Sequence, residues 1–159
     1  QVVSDGSAPV RWDYVLVRFA GAPEPQLSLE IEELWHMGVP QTDPEASGGE
    51  AVALVPGYNP RDYAFSGPDR VLPAGAWVAR LRFSAVTEAG NAGGERFEVA
   101  ISNVERPLAA VSLPTSAGTA GYREVALPFS LARPTPVRFR VHFPGQRRLV
   151  LDRIAITPG

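Results

Sequence analysis

The sequence has 159 residues, of which 45% are hydrophobic, and a formal net charge of −2. This length and composition fit one globular domain and argue against a disordered chain. Cysteine is absent, which excludes disulfides and thiolate metal sites. All 15 basic residues are scattered arginines, so we expect no nucleic-acid-binding face, and no apolar stretch approaches the roughly 18 residues that a membrane span requires.

Residues 1–26 differ in character from the rest of the chain. The pattern of residues 12–19 allows one strand, and the proline-containing segment 21–25 after it is typical of a linker. This N-terminal extension is either an extra strand of the domain or the tail of a preceding domain, and the sequence favours neither. We therefore assign the folded module itself to residues 27–159.

From residue 27 onward the sequence consists of short alternating runs, divided by many of the chain's 16 prolines and 15 glycines. Hydrophobic residues recur with a period of two in five segments, residues 27–32, 77–83, 96–101, 137–143 and 149–156. Such alternation indicates half-buried strands, and we predict an all-β fold, an antiparallel β-sandwich. In this sandwich we expect Trp77 in the core, His142 on the solvent face and Pro144-Gly145 at a hairpin turn.

The residue inventory gives little support for catalysis. Two histidines are present, His36 and His142, and no nucleophile, metalloprotease or phosphate-binding motif occurs. Glu30 and Glu32 are a poor glycosidase pair, because such carboxylates must flank the scissile bond from opposite sides. We therefore expect that the chain is not an enzyme.

Three carboxylates stand out by their positions. Glu30 and Glu32 lie two residues apart in a predicted strand, so their side chains should leave the same face. By alternation, Asp152 shares its face with the apolar Val150 and Ile154. A carboxylate in apolar surroundings is costly unless it is paired or binds a metal ion, so Asp152 should have either an arginine or a cation as its partner.

Four stretches, taken together and in order, resemble one protein family. They are Leu-Glu-Ile-Glu-Glu-Leu at 29–34, Ala-Ser-Gly-Gly at 46–49, Leu-Pro-Ala-Gly-Ala-Trp at 72–77 and Leu-Asp-Arg-Ile at 151–154. Over residues 27–157 the sequence is similar to the calcium-containing carbohydrate-binding modules of families six and thirty-five. Residues 66–75 also resemble the Gly-Pro loop of sandwich modules appended to bacterial glycosyltransferases, although Asp69 stands where those modules usually have an aromatic residue.

This resemblance implies a galactose-binding-like jelly roll in which the first and last strands pair. It also implies a structural Ca²⁺ that ties the termini together and need not touch the ligand. The implied metal ligands are Glu30, Glu32, Ser47, Gly49 and Asp152. A bacterial, secreted protein located outside the cell or at its surface is implied as well, and we expect a monomer.

The candidate ligand-binding residues are aromatic and planar polar side chains in turn-rich segments. Sugars offer apolar C–H faces for stacking and hydroxyls for hydrogen bonding. We predict a binding set of Tyr58, Asn59, Arg61, Tyr63 and Tyr122, the last of which stands where family six often has a loop tryptophan. The Arg61 guanidinium slightly favours an acidic sugar. The alternative is that the three tyrosines merely border the core with their hydroxyls in water.

These expectations lead to one function and one alternative. The first is a non-catalytic carbohydrate-binding module, whose partners are an oligosaccharide or polysaccharide and a larger parent protein, an enzyme or transferase that the module holds at a glycan. The alternative is a structural or docking β-sandwich domain that binds no sugar. Exposed rings at Tyr58 and Tyr63 would favour the first, and buried rings the second.

Overall fold

The computed structural model of the protein describes residues 27–86, 94–114 and 121–159. Within these ranges the chain forms eleven strands and one turn of 3-10 helix, Ile31–Glu33. The strands are β1 (Leu27–Glu30), β2 (Val39–Thr42), β3 (Glu50–Leu54), β4 (Asp62–Ser66), β5 (Arg70–Leu72), β6 (Gly75–Val86), β7 (Arg96–Ile101), β8 (Pro107–Ser112), β9 (Arg123–Leu131), β10 (Thr135–Phe143) and β11 (Arg148–Pro158).

The strands form two sheets with antiparallel pairings. One sheet has the order β2-β3-β11-β6-β9, with β1 also paired to β11, and the other has the order β4-β10-β7-β8, with β5 also paired to β10. The predicted all-β antiparallel sandwich is therefore confirmed. The first described strand pairs with the last, as expected, with Leu27 opposite Ile156 and Glu30 opposite Arg153.

The segment Pro144-Gly145 is a crossover and not the predicted hairpin turn. β10 pairs with β4, β5 and β7, whereas β11 pairs with β1, β3 and β6, so these consecutive strands lie in different sheets. Gly145 has a φ of +73°, a conformation that favours glycine. A Pro-Gly pair indicates a sharp change of direction, but it does not determine which strand the chain pairs with next.

The core lies between the two sheets and is formed by the side chains that point inward at every second position along the strands. In β10, Val137, Phe139, Val141 and Phe143 are fully buried, as a period of two predicts. Trp77 is also buried, as expected, and its Nε1 donates a hydrogen bond to a backbone carbonyl at 3.0 Å. Burial of each large apolar side chain contributes about 1.5–3 kcal/mol to folding.

The sequence predicted His142 on the solvent face, but the structure shows it half-buried. It alternates away from the core, yet the neighbouring strand β4 places Tyr63 opposite it. The two rings pack edge to face with 5.9 Å between their centroids. Its Nδ1 is buried and has no hydrogen-bond partner among the described residues.

Strand β11 contains a β-bulge at Asp152. The pairing register with β6 shifts between Leu151 and Arg153, which leaves Asp152 as the extra residue. The alternation therefore changes phase, so that Leu151 and Ile154 both belong to the main core, whereas Val150 packs in a second, smaller cluster. The predicted common face of Val150, Asp152 and Ile154 is wrong because strict alternation does not continue through a bulge.

Residues 1–26, with the strand predicted at residues 12–19, lie outside the described residues, so both interpretations of this extension stay open. The start of the module at residue 27 stays a prediction as well. In the described ranges, no helix has the length and apolar character needed to cross a membrane.

Candidate functional site

Three carboxylates gather beyond the end of β1, and we call Glu30, Glu32 and Asp152 the carboxylate cluster. Glu32 lies in the 3-10 turn rather than in a strand, which corrects the predicted shared strand face. Both glutamates nevertheless reach the same loop. Ser47 Oγ lies 2.6 Å from Glu30 Oε2, and a Cβ atom at Gly48 would lie only 2.7 Å from Glu32 Oε1. Glycine at position 48 therefore allows this close approach.

Asp152 is completely buried and accepts hydrogen bonds from two sides. Its Oδ1 accepts a bond from Ser47 N–H at 3.0 Å and lies 2.7 Å from Ser47 Oγ. Its Oδ2 accepts a bond from Arg82 Nη1. The ion pair with Arg82 compensates the buried carboxylate. Of the two kinds of partner that the sequence allowed, the structure places an arginine there.

The predicted calcium ligands come together only in part. Glu30, Glu32, Ser47 and Asp152 are neighbours, whereas Gly49 forms the turn with a φ of +80°, and its carbonyl accepts a backbone hydrogen bond at 2.9 Å. Glu32 Oε2 is buried without a hydrogen-bond partner among the described residues, and such an oxygen suits a hard cation. However, no group of three or more acidic or histidine side chains in the described ranges is placed to hold a metal ion. Nothing in the structure tests the predicted Ca²⁺, which stays a prediction.

The carboxylate cluster carries an excess of negative charge. Burial raises the pKa of Glu32 above its ordinary value, and the neighbouring charges of Glu30 and Asp152 raise it further. A hydrogen bond from the backbone N–H of Glu32 itself acts in the opposite direction without cancelling the rise. Arg82 compensates the charge of Asp152 by a direct ion pair, whereas the charges of Glu30 and Asp152 both act to keep Glu32 protonated.

Arg82 connects the cluster to an aromatic ring, and we call Arg82, Asp152 and Tyr122 the Arg82 unit. The Arg82 Cζ atom lies 4.2 Å from the centroid of the Tyr122 ring, within the range of a cation–π contact. Its Nη2 donates a hydrogen bond to Glu45 O at 2.8 Å. The Tyr122 hydroxyl donates to Asp43 Oδ2 at 2.8 Å, and burial with this bond raises the pKa of Tyr122 well above its ordinary value. The ring is therefore held at its face and at its hydroxyl.

Tyr122 lines a pocket of about 240 Å³ on the side of the six-stranded sheet that faces away from the main core. We call it the Tyr122 pocket. Its other polar lining residues are Gln41, Asp43, Glu45, Ser84 and Arg148. Arg148 Nη2 donates to Gln41 Oε1 at 2.9 Å, so both side chains are oriented. The pocket combines one aromatic ring with hydrogen-bond donors and acceptors, an arrangement that suits a small polar ring with an apolar face.

The predicted ligand segment between β3 and β4 is not a single binding surface. Tyr58 is 75% exposed. Asn59 is buried, with its Oδ1 accepting from Val55 N–H at 2.7 Å and its Nδ2 donating to Met37 O at 2.6 Å. Both polar atoms of Asn59 thus bond within the protein, and its contact with a ligand stays a prediction. Arg61 lies against Gly145, where an added Cβ would be 2.9 Å from Arg61 Cγ.

Tyr63 lies in β4 of the other sheet and is half-buried there. Arg140 Cζ lies 4.6 Å from its ring centroid, and Arg140 Nη2 donates to Glu98 Oε2 and to Glu105 O, each at 2.8 Å. We call Arg140, Glu98 and Tyr63 the Arg140 unit. The five predicted ligand residues are thus divided among the segment between β3 and β4, strand β4 and the residue before β9, and Tyr122 is the one among them that lines the Tyr122 pocket.

The sequence-based interpretation missed most of the residues around this pocket. Asp43 and Glu45 directly precede the Ala-Ser-Gly-Gly motif at residues 46–49, so their proximity to a conspicuous turn was a usable signal. Gln41, Arg82 and Arg148 gave no such signal, because strand pairing alone brings their distant segments together.

The strand order and the pairing of the first described strand with the last define a jelly-roll sandwich of the kind found in carbohydrate-binding modules. No protein-family profile and no curated protein sequence matches the chain. Solved structures do match it. The C-terminal family 6 module of a laminarinase from Zobellia galactanivorans is 22% identical with a TM-score of 0.57, over 84% of this chain and 99% of that one.

Two further structures support the same fold. A family 6 module of lichenase 5A from Cellvibrio mixtus, solved in complex with cellotriose, is 15% identical with a TM-score of 0.59, over 84% of this chain and 97% of that one. A family 35 module from Clostridium thermocellum is 21% identical with a TM-score of 0.58, over 82% and 98% of the two chains. At these identities the similarity shows the fold, and at that level it confirms the resemblance drawn from the four motifs.

Proposed function

We propose that this protein is a non-catalytic carbohydrate-binding module and that its sugar site is the Tyr122 pocket. The observation that carries the proposal is a fixed aromatic ring at a pocket of about 240 Å³ with polar side chains around it. The fold adds support, since a module of similar fold was solved with cellotriose.

The side chains of the pocket have complementary tasks in such binding. The Tyr122 ring offers an apolar surface for the C–H face of a pyranose. Gln41, Ser84 and Arg148 can donate hydrogen bonds to sugar hydroxyls and oxygens, and the carboxylates of Asp43 and Glu45 can accept them.

The charge of the pocket changes the expected sugar class. The charged residues that line the pocket are two carboxylates, Asp43 and Glu45, and one guanidinium, Arg148. An acidic sugar would meet a surplus of like charge, which is unfavourable. We therefore propose a neutral sugar, whereas the sequence slightly favoured an acidic one through Arg61, which is not among the residues that line the pocket.

The wider function follows from binding without chemistry. A module of this kind raises the effective concentration of the protein that contains it near a glycan. We accordingly propose that the chain belongs to a larger, secreted or surface-located protein that acts on or near a polysaccharide.

One observation favours the alternative of a structural β-sandwich. The Tyr122 hydroxyl already bonds to Asp43, and Arg82 lies over the ring. Such contacts also suit a tyrosine that only stabilises the fold. Sugar binding itself therefore decides between the two functions.

The deciding experiment uses the full chain on an array of neutral and uronic-acid oligosaccharides that includes cellotriose. Isothermal titration with the best ligand then compares wild type with Tyr122→Ala. Loss of an aromatic anchor should weaken binding by about 1–3 kcal/mol, which raises the dissociation constant about 5- to 150-fold.

Tyr63→Ala is the matched control, since it removes the same side chain from the other sheet, and Tyr58→Ala tests the exposed ring. Both should bind like wild type. If Tyr122→Ala binds normally and either control variant does not, the site lies at residues 58–63. If the wild-type protein binds no glycan, the structural alternative is correct.

A further inference from the structure

Arg82 lies beneath the proposed sugar site without being one of its lining residues. We infer that Arg82 is a positioning residue for sugar binding, which fixes the Tyr122 ring in the pocket and makes its position depend on the buried carboxylate Asp152. This inference rests on the proposed function, because it assigns the cause of the ring's placement at that same site.

The bulge in β11 sets up the contact between Arg82 and Asp152. Because Asp152 is the extra residue opposite β6, its side chain is not aligned with the regular alternation. It meets the guanidinium of Arg82, whose side chain is 23% exposed while that of Asp152 is fully buried. The ion pair thereby fixes one end of the guanidinium.

The rest of the guanidinium holds the wall of the pocket. Arg82 Nη2 bonds to Glu45 O at 2.8 Å, in the loop that also carries Asp43. Asp43 in turn accepts the Tyr122 hydroxyl at 2.8 Å, and the Tyr122 ring lies over Arg82 with 4.2 Å from Cζ to its centroid. Arg82 therefore holds the Tyr122 ring directly at its face and indirectly at its hydroxyl, through the loop of Asp43 and Glu45. Displacement of Arg82 should loosen both ends of the ring.

A planar guanidinium is needed to make all three contacts together. A lysine at position 82 could keep its charge near Asp152, but a compact ammonium cannot stack flat on the ring and bridge to a carbonyl as well. Arg82→Lys therefore separates two roles that Arg82→Ala would remove together. These roles are charge compensation, which stabilises the fold, and ring positioning, which supports binding.

The test measures melting temperature and sugar affinity for Arg82→Lys, Arg82→Ala and Arg140→Lys. The ligand is the oligosaccharide that wild type binds best on the array. Arg82→Lys should restore most of the melting temperature lost in Arg82→Ala, while its dissociation constant stays raised about fivefold, as expected for loss of a cation–π contact. Arg140→Lys makes the same change in the Arg140 unit and should leave the affinity unchanged.

A second variant keeps the test decisive if Arg82 variants fold poorly. Asp152→Asn preserves shape but removes the charge that holds Arg82, and Asp152 is not among the residues that line the pocket. We expect its affinity to fall by about two- to fivefold, less than a lost charge-assisted hydrogen bond would give, because the asparagine oxygen can still accept a hydrogen bond from Arg82. Wild-type affinity in Asp152→Asn would overturn the dependence on Asp152.

The outcomes distinguish this inference from the proposed function. If Arg82→Lys binds like wild type while Tyr122→Ala does not, the positioning role is wrong and the sugar site stands. If Tyr122→Ala also binds like wild type, the proposed site itself fails. Equal weakening in Arg82→Lys and Arg140→Lys would indicate a general loss of stability and would overturn the positioning role.

Discussion

The Arg82 unit and the Arg140 unit place the same chemistry on the two sheets. Each has an arginine that contacts a tyrosine ring, at 4.2 Å for Arg82 and 4.6 Å for Arg140. Each arginine pairs with a buried carboxylate and bonds to a loop carbonyl at 2.8 Å.

The two units differ in where the tyrosine hydroxyl goes. Tyr63 Oη lies 3.4 Å from Glu98 Oε2, the same oxygen that Arg140 binds, so this unit closes on itself. Tyr122 Oη bonds at 2.8 Å to Asp43, a carboxylate outside the Arg82 unit. The Arg82 unit therefore connects Asp152 of β11 to the Tyr122 pocket. An arginine–tyrosine contact alone does not indicate a binding site. What distinguishes the two units is whether the tyrosine hydroxyl bonds within the unit or to a residue that lines a pocket.

The largest expected effect is loss of the buried carboxylate in either unit. Asp152→Ala and Glu98→Ala should each destabilise the protein by about 3 kcal/mol, because each removes a buried carboxylate and leaves its partner arginine, Arg82 or Arg140, without a counter-charge. Glu30→Ala should cost no more than about 1 kcal/mol, since Glu30 is half-buried and its partner Ser47 is exposed. Urea denaturation of the three variants gives the free energies of unfolding.

Sugar titration then separates the two carboxylate variants. Of these two, only Asp152→Ala should also weaken binding, because Glu98 belongs to the unit without the Tyr122 pocket. Equal and small losses of stability for Asp152→Ala and Glu30→Ala would mean that Asp152 is solvated and that the bulge is misplaced.

The hydroxyl groups give a smaller and more specific contrast. Tyr122→Phe removes a bond of 2.8 Å to Asp43 and should cost about 1 kcal/mol of stability. Tyr63→Phe removes a contact of 3.4 Å, which is long for a bond between a hydroxyl and a carboxylate, and should cost close to nothing. Denaturation midpoints measured side by side check the order. A larger loss in Tyr63→Phe would contradict the assignment of the tighter connection to Tyr122.

Local patterns were sufficient to predict the fold. Alternation in residues 77–83 and 137–143 predicted two strands of the sandwich, and the Ala-Ser-Gly-Gly motif predicted the loop at which the carboxylate cluster gathers. The need of Asp152 for a partner also followed from the sequence, because a carboxylate among apolar residues must be compensated.

The identity of that partner could not be predicted, because it depends on a register shift. Arg82 lies 70 residues before Asp152, and a bulge is not visible in a pattern of period two. The internal hydrogen bonds of Asn59 were missed for a different reason, since an asparagine in a turn can bond to nearby backbone as well as to a ligand. The Tyr122 pocket was missed because its residues come from segments that only the pairing of β2, β3, β11 and β6 brings together.

The smallest expected effect concerns Glu32 of the carboxylate cluster. The Arg140 unit has no residue that corresponds to Glu32. Its pKa is raised chiefly by burial, so the ionised form is disfavoured in the folded state. Stability is therefore lost as the pH rises from the ordinary glutamate pKa of about 4.3 towards the raised value. In chelator at neutral pH, Glu32→Gln should melt about 1–2 °C higher than wild type, and this gain should vanish below about pH 4, where wild type is protonated as well.

The same variant tests the predicted Ca²⁺. If the ion binds at the carboxylate cluster, calcium should raise the melting temperature of wild type by several degrees through preferential binding to the folded state, with little change in sugar affinity. Glu32→Gln, which lacks a charged ligand, should gain much less, so that the order of the two proteins reverses between chelator and calcium. Identical melting curves of wild type in both conditions would show that the calcium prediction is wrong. In that case Arg82 is the cation on which Asp152 depends.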